Sequence, residues 1–291
     1  MNNTSNINGD LIGHEISGLN EIAQNYEAFI IDLWGVIYNG QNIYDDAKKT
    51  LEKLMRLGKT VHLITNNPRS SAENIRILAG YGLSHDYFTD IITAGQKTID
   101  LLESAILFPD SQRPINTYLI DDINLCDWID RANLKIVPDI HTANVIMSIH
   151  MDESMHNPAP FIPLFQTAIE LGIPHVCCNP DKYVMKNGEK LARVGLLADL
   201  YKALGGIVYE IGKPHPIMFE SMLALHHPKK ILLIGDSLVT DITAASYIGV
   251  DSLLVASGYH QDEFRSTMLP NSQLYKTYGV SPTYVCEYLS W

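Results

Sequence analysis

The sequence predicts an α/β protein built on a doubly wound parallel sheet, with a second α/β unit inserted between its two halves. From Ala28 onward, short apolar runs alternate with helical stretches, the order that βαβ units produce. Several of these runs end in polar side chains, which is typical of strands at the carboxyl edge of such a sheet. The stretch 97–208 repeats the alternation and, at about 110 residues, is long enough to form its own domain.

The first part of the chain contains predicted strands separated by predicted helices. Residues 1–20 are predicted to form a flexible lead-in before the first strand. Apolar residues at helical spacing predict a helix over 45–57 that Gly58 ends. A second helix begins at Ser70 or Ser71, either of which can cap it, and is ended by glycines at 80 and 82. The strands are expected at 30–32, 61–64 and 90–93.

The middle of the chain starts a new cycle of elements. Strands are predicted at 116–120, 145–149 and 175–178, and helices at 125–131, 160–171 and 192–204. The chain is then expected to return to the first sheet at 208–211, before a helix at 216–225 and strands that end at Asp236 and Val255. The predicted domains are a lead-in of residues 1–20, a core of 21–96 plus 209–291, and an inserted domain of 97–208.

Composition argues against several classes of function. The formal net charge is −12, and the 21 Lys and Arg residues are scattered, whereas nucleic-acid binding needs them clustered. No apolar run approaches the roughly 20 residues that a membrane span needs. The four cysteines form no recognisable disulfide framework and the first residues no signal peptide, so a reduced, cytoplasmic setting is expected. We therefore expect neither a nucleic-acid nor a membrane partner.

Acidic, hydroxyl and basic side chains follow the predicted core strands in an order that suits phosphoryl transfer. Asp32 ends the first strand and can act as a nucleophile that accepts a phosphoryl group. Asp32 and Asp236, at two neighbouring strand ends, offer the hard oxygen ligands that Mg²⁺ prefers. Thr65 supplies a hydroxyl, and Lys213 a fixed positive charge for the phosphoryl oxygens. Taken alone, Asp32 is better explained as a turn residue at the end of a strand. The presence of Lys213 and Asp236 favours a catalytic role for it instead.

Asp32 is followed along the chain by short segments that, taken in order, carry a resemblance to a known family. They are Thr65-Asn66-Asn67, Asn179-Pro180-Asp181, Gly212-Lys213-Pro214, Gly235-Asp236-Ser237-Leu238-Val239-Thr240-Asp241-Ile242 and Ser257-Gly258-Tyr259-His260. From Phe29 onward the chain resembles the haloacid dehalogenase superfamily, and within its class IIA the NagD-like, or 4-nitrophenylphosphatase-like, branch. The resemblance implies a Rossmann-like core with a large α/β cap domain inserted between the second and third motifs.

The resemblance also implies an activity and a set of site residues. It implies a Mg²⁺-dependent phosphohydrolase that acts through an aspartyl-phosphate on a small phosphorylated metabolite, such as a sugar phosphate, a nucleotide or an aryl phosphate. Catalysis is assigned to Asp32, Thr65 and Lys213. Metal binding is assigned to Asp32, Asp236, Asp241 and the carbonyl of Trp34, and substrate binding to Thr65, Asn66, Asn67, Lys213, Asn179 and Asp181. A homodimer is one assembly that the cap domains of this branch imply.

Trp34 departs from the family pattern, which has an aspartate two residues after the nucleophile. An indole has no titratable group in the useful range, so it cannot protonate a leaving group or activate water. Loss of such a group costs about 10²–10⁴-fold in rate. Three alternatives remain open: an altered enzyme for good leaving groups, which is favoured, a cap residue that supplies the acid, or a phosphometabolite-binding or regulatory protein with weak or no turnover. Metal-independent dehalogenation is a further alternative, and Asp236 and Asp241 speak against it.

Overall fold

The computed structural model describes residues 13–109, 111, 113–120, 128–129, 132–151, 157–186, 189–266 and 271–291. Its strands are β1 (His14–Glu15), β2 (Ala28–Asp32), β3 (Thr60–Thr65), β4 (Asp90–Thr93), β5 (Ile115–Ile120), β6 (Leu134–Ile136), β7 (Val145–Ser148), β8 (His175–Cys177), β9 (Tyr183–Lys186), β10 (Glu189–Ala192), β11 (Val208–Glu210), β12 (Ile231–Gly235), β13 (Asp251–Val255) and β14 (Tyr284–Cys286). Its helices are α1 (Asp45–Arg56), α2 (Ser71–Gly80), α3 (Ala94–Glu103), α4 (Ile162–Glu170), α5 (Gly195–Ala203), α6 (Glu220–Leu225), α7 (Thr243–Ile248), α8 (Gln261–Ser266) and α9 (Asn271–Tyr278).

The strands form two parallel sheets and one antiparallel hairpin. The first sheet has the order β1-β14-β13-β12-β2-β3-β4, and every neighbouring pair in it is parallel. The second sheet has the order β11-β8-β7-β5-β6 and is also parallel throughout. The hairpin pairs β9 with β10. The predicted fold class, a doubly wound parallel sheet with an inserted α/β unit, is confirmed.

The central strand β2 is apolar throughout because helices cover both faces of its sheet. Phe29 and Ile31 pack into one hydrophobic cluster, with side chains of α1 and α2. Ala28 and Ile30 point the other way, into a second cluster with side chains of α6 and α7. Successive residues of a strand point to opposite faces, so a strand buried on both sides reads as a continuous apolar run.

The first two helices begin and end at the residues expected of them. Asp45 and Asp46 lie in the first turn of α1, where negative charge interacts favourably with the helix dipole. Beyond the end of α1, Gly58 has φ +68°, the left-handed conformation in which helices commonly end. Ser70 caps α2, since its hydroxyl oxygen accepts a hydrogen bond from Glu73 N. Both helices pack against the same face of the first sheet.

The inserted unit differs from the expectation at its end. The strand at Val208–Glu210 was expected to return to the first sheet, but it pairs with β8 as the edge of the second sheet, in register from Val208 to Glu210. The chain re-enters the first sheet only at β12. Helix α5 begins at Gly195 rather than at the expected Ala192, because Ala192 ends β10. The helix expected at 125–131 lies outside the described residues, except for a turn at 128–129.

The amino-terminal region contains a strand that the lead-in prediction missed. His14–Glu15 pairs with Tyr284–Val285 and forms the edge of the first sheet, so the described residues 13–20 are not a loose lead-in; residues 1–12 lie outside the described part. Within the described ranges no helix is both long and apolar enough to cross a membrane. The exact domain boundaries stay a prediction.

Candidate active site

The carboxyl edge of the first sheet brings together side chains that are far apart in sequence. Asp32 ends β2, Thr65 ends the neighbouring β3, and Asp236 directly follows β12 on the other side of β2. All three side chains are buried, with 4–6% of each residue exposed. Because the strands are parallel and adjacent, their ends meet at one place, where ligands bind in open α/β sheets.

Three carboxylates form the centre of this site. One oxygen from each of Asp32, Asp236 and Asp241 lies within 4.8 Å of the other two. Asp241 lies in a π-helical turn, Leu238–Ile242, and accepts a hydrogen bond from Ser237 N at 3.2 Å. Ser237, not Asp241, caps that turn, since its hydroxyl accepts from Thr240 N. Asp241 therefore points inward as a fully buried acid, and capping does not explain its position.

Lys213 joins two of these carboxylates. Its Nζ lies 2.5 Å from Asp32 Oδ1 and 2.7 Å from Asp241 Oδ1, and the side chain is 3% exposed. Burial alone lowers the pKa of Lys213, but the charges of Asp241, Asp32 and Asp181 outweigh it and hold the pKa above its ordinary value. Lys213 is therefore a permanent cation at the centre of the site.

The carboxylates still outnumber the cation. Burial, with repulsion from Asp241, raises the pKa of Asp32 to about 7 despite the attraction of Lys213. Burial and then repulsion from Asp32 and Asp241 raise the pKa of Asp236 well above its ordinary value. A buried set of hard oxygen donors with excess negative charge is the environment that suits a divalent cation such as Mg²⁺. The residues present therefore fit a metal.

Glycines and a backbone amide fix the position of Asp236. Tyr259 N donates to Asp236 Oδ2 at 2.8 Å. A Cβ atom on Gly35 would lie 1.9 Å from that same oxygen, and one on Gly258 would lie 2.2 Å from it. Gly35 also has φ +82°, a conformation that other residues rarely adopt. The carboxylate fills space that only glycine leaves open.

The loop after β3 is held against Lys213 and the inserted unit. Asn66 Oδ1 accepts from Lys213 N at 2.6 Å, and Asn66 Nδ2 donates to Asp181 Oδ1 at 2.8 Å. Asn67 N donates to Thr65 Oγ1 at 3.2 Å, so the hydroxyl hydrogen of Thr65 remains available for another acceptor. Burial raises the pKa of Asp181, with Lys213 acting against it. Asp181 thus joins the two units at the rim of the site.

Trp34 contacts the inserted unit directly. Its Nε1 donates to the carbonyl oxygen of Met185 in β9 at 2.8 Å. The indole packs edge-on against Tyr38, with ring centroids 5.4 Å apart, and a Cβ atom on Gly40 would lie 2.6 Å from it. Trp34 therefore links the first sheet's unit to the β9–β10 hairpin at the position where the resemblance predicts an acid.

These residues surround a cavity of about 160 Å³. Its floor is polar and contains Asp32, Thr65, Lys213 and Asp236. Its roof is the β9–β10 hairpin, which contributes Tyr183, Val184 and Met185.

Two family profiles match the chain on either side of most of the inserted unit. Residues 29–116 match the haloacid dehalogenase-like hydrolases, and residues 210–291 match a second, HAD-hydrolase-like profile. The two segments contain Asp32, Thr65, Lys213 and Asp236. The chain is a haloacid dehalogenase-like hydrolase.

Similar proteins agree with this assignment. An acid sugar phosphatase from Staphylococcus epidermidis is 26% identical to this hydrolase over 266 residues, which are 89% of this chain and 97% of the relative. A haloacid dehalogenase-like hydrolase from Brucella suis has a TM-score of 0.80 at 24% identity and covers 94% of this chain and 99% of its own. A glycerol phosphate phosphatase from Mycobacterium tuberculosis, in complex with magnesium, has a TM-score of 0.65 at 22% identity. The match covers 94% of this chain and 76% of the phosphatase chain. The NagD-like resemblance is confirmed.

The structure brings most of the predicted site residues of this hydrolase to one cavity. Its lining includes seven of them, Asp32, Trp34, Thr65, Asn66, Asp181, Lys213 and Asp236, and an oxygen of Asp241 lies within 4.8 Å of those of Asp32 and Asp236. Asn67 and Asn179 instead line an adjoining cavity. The lining residues that sequence reasoning missed are Lys182, Tyr183, Val184 and Met185, whereas Pro180, Ser237, Val239, Thr240 and Tyr259 were quoted only as parts of motifs. The roles of all these residues stay proposals.

Proposed function

We propose that this hydrolase is a Mg²⁺-dependent phosphatase for a small phosphorylated metabolite. The observation that carries the proposal is the contact of Lys213 with Asp32 in a cavity where three carboxylates converge. The similar acid sugar phosphatase and glycerol phosphate phosphatase support a phosphate monoester as substrate. A phosphoryl group in transfer needs a nucleophile, positive charge and hydrogen-bond donors around its oxygens, and the cavity floor contains all three.

Asp32 is the nucleophile in this proposal. Lys213 binds its Oδ1, while its Oδ2 accepts no hydrogen bond from any residue in the described part of the chain. An Asp32 oxygen forms a bond to phosphorus while the bond to the leaving oxygen breaks, and that oxygen departs with the electron pair and takes up a proton. Water then attacks the aspartyl-phosphate, which releases inorganic phosphate and a proton and restores the Asp32 carboxylate.

Thr65, Asn66 and Lys213 position the phosphoryl oxygens. The hydroxyl of Thr65 can donate because its oxygen already accepts from Asn67 N. Asn66 fixes the loop by binding Lys213 N through its side chain, which leaves the Asn66 backbone amide as a second donor candidate. Lys213 adds a permanent positive charge in a buried site, where charge stabilisation is strongest.

Asp32, Asp236 and the carbonyl of Trp34 would hold Mg²⁺, with Asp241 as a supporting acid. When bound, the ion supplies positive charge that neutralises the phosphoryl oxygens. Asp236 is held ready for this role by Tyr259 N, and Asp241 by Ser237 N. Preorganised carboxylates of this kind lose little freedom when they bind.

Chelation is expected to abolish phosphate release. With 4-nitrophenyl phosphate as substrate, excess EDTA should remove activity because Asp236 and Asp32 would then repel each other and the substrate's phosphate. Added Mg²⁺ should restore the rate, whereas added Na⁺ at matched ionic strength should not. Full activity in excess chelator would contradict the proposal and would favour a metal-independent reaction such as dehalogenation.

Gly258→Ala is expected to weaken Mg²⁺ binding. The new Cβ would lie 2.2 Å from Asp236 Oδ2 and would displace that carboxylate. We expect the Mg²⁺ concentration for half-maximal activity, and the dissociation constant from calorimetry, to rise about 10–100-fold. Gly80→Ala, in a helix where a Cβ meets nothing within 4 Å, is the matched control and should leave both unchanged. Unaltered Mg²⁺ affinity in Gly258→Ala would remove Asp236 from the proposed ligands.

A second candidate function is that of a phosphometabolite-binding or regulatory protein with weak turnover. Trp34 favours it, because its Nε1–H is already bonded to Met185 O and its ring has no proton to give. In this case the Asp32→Asn variant should bind phosphate esters as tightly as the wild type, and neither protein should release phosphate. Asp32-dependent phosphate release at enzymatic rates would exclude it.

A further inference from the structure

A buried histidine lies near the edge of the first sheet that is opposite the candidate active site. His62 is the third residue of β3, and Thr65 at the other end of that strand lines the proposed catalytic cavity. Side chains of a strand alternate between its two faces, so His62 points with Ile64 toward the face that α6 covers. His226 directly follows α6, and the ring centroids of the two histidines are 5.5 Å apart.

A carboxylate orients the ring of His62. Asp90 is the first residue of β4 and lies opposite His62 in the register of the two strands. His62 Nδ1 is 2.5 Å from Asp90 Oδ1, and because a carboxylate accepts hydrogen bonds, Nδ1 carries the hydrogen. In the neutral ring, Nε2 then carries the free lone pair. A carboxylate on the far nitrogen is the arrangement that orients histidines in metal sites.

The Nε2 atoms of the two histidines face each other. They are 3.4 Å apart, which is longer than the roughly 2.7–3.2 Å of ordinary hydrogen bonds from an N–H group. A tetrahedral ion with nitrogen ligands at about 2.0–2.1 Å holds those nitrogens about 3.3–3.4 Å apart. The nitrogens of His62 and His226 therefore already have the separation that one shared ion requires.

The charges around His226 suit a metal ligand. Burial and then repulsion from His62 hold the pKa of His226 below its ordinary value, against the attraction of Glu27 and Asp90. The imidazole of His226 is therefore neutral at pH 7, the state in which histidine binds metals. Glu27 and Asp90 place negative charge near the two rings, and this charge favours a cation between them.

We propose that His62 and His226 bind a divalent transition-metal ion of the class that prefers imidazole, such as Zn²⁺, and that this ion joins β3 to the end of α6. Among the described residues, the carboxylates of the active site are the one set of three or more metal-binding groups, so water would complete the coordination at the histidines. The ion would therefore exchange with solution. This site is independent of the proposed phosphatase activity, because Mg²⁺ prefers the oxygen ligands of the active site to imidazole.

Calorimetric titration of the full chain with Zn²⁺, at saturating Mg²⁺, tests the proposal. The wild type should bind one Zn²⁺ that His226→Gln does not bind; His226 is only half-buried, so this change leaves the core intact. Asp90→Asn should weaken the same site about 10–100-fold, because the amide holds His62 less firmly than the carboxylate does. His227→Gln is the matched control: it removes the adjacent, exposed histidine, whose Nδ1 accepts from Lys229 N, and should leave Zn²⁺ binding unchanged.

Two further measurements separate this site from the active site. Asp236→Asn should keep the Zn²⁺ that His226→Gln loses, and Zn²⁺ should raise the unfolding temperature of the wild type but not that of His226→Gln. Identical Zn²⁺ titrations of the wild type and His226→Gln, or an equal loss in His227→Gln, would overturn the proposal. Loss of the ion in Asp236→Asn alone would place it at the carboxylates and would also overturn it. A chain that binds Zn²⁺ as expected but releases no phosphate would keep this site and reject the phosphatase.

Discussion

Asp32→Asn is expected to abolish phosphate release, with a loss of about 10⁴-fold or more in kcat. An amide lacks the negative charge of a nucleophilic carboxylate and cannot form the aspartyl-phosphate. The substitution keeps the shape of the side chain and also removes a proposed metal ligand. The measurement is phosphate release from 4-nitrophenyl phosphate at saturating Mg²⁺, with the melting temperature recorded on the same samples.

Stability should not account for that loss. Asp32 is buried beside Asp241, and burial, with repulsion from Asp241, raises its pKa despite the attraction of Lys213. Lys213 keeps its contact with Asp241 at 2.7 Å when Asp32 becomes neutral. We therefore expect an unfolding temperature no lower than that of the wild type. Asp46→Asn, at an exposed carboxylate of α1 that pairs with Lys49, is the matched control and should keep full activity. Residual activity above a hundredth of the wild-type rate in Asp32→Asn would reject Asp32 as the nucleophile.

The catalytic edge could be predicted from sequence because its strands are buried on both faces. β2 and β12 are continuous apolar runs in which every residue is buried. Asp32 and Asp236 come where such runs stop, and parallel neighbouring strands must end at the same edge. The places of Asp32 and Asp236 at the ends of their strands were therefore enough to predict that their side chains lie close together.

Edge strands gave no comparable signal. β1 consists of His14 and Glu15, both exposed, and is held by pairing with β14 rather than by an apolar face. β11 was expected in the first sheet but lies in the second. Its three residues are partly buried or exposed, so their hydrophobic pattern does not indicate which strand β11 pairs with. Which sheet it joins depends on the register with His175–Cys177, a contact distant in sequence.

The sequence contains a short-range signal for the β9–β10 hairpin. Asn187-Gly188 stands between Tyr183–Lys186 and Glu189–Ala192, and an Asn-Gly pair between two such runs is the strongest short hairpin signature. The register, Lys186 opposite Glu189, agrees with a two-residue connection. Its position as the roof of the cavity could not be predicted, since that depends on contacts such as Trp34 with Met185.

Trp34→Asp is expected to increase turnover of substrates with poor leaving groups. An aspartate at this position adds a titratable acid beside the carboxylates, where proton transfer to the leaving oxygen is worth about 10²–10⁴-fold. We expect kcat for glycerol 3-phosphate to rise within this range and kcat for 4-nitrophenyl phosphate to change little, because nitrophenolate departs without protonation. The ratio of the two kcat values is the measurement, since a general change in stability or folding would move both together.

Trp34→Phe is the variant that separates the acid from the loss of the indole. Phenylalanine keeps an aromatic ring against Tyr38 and Gly40 but removes the hydrogen bond to Met185 O. If the missing acid limits the enzyme, Trp34→Phe should leave the kcat ratio unchanged while Trp34→Asp alters it. If Trp34→Phe and Trp34→Asp change the ratio equally, the link to the hairpin, not the absent carboxylate, determines turnover. An unchanged or lower kcat for both substrates in Trp34→Asp would reject the general-acid argument altogether.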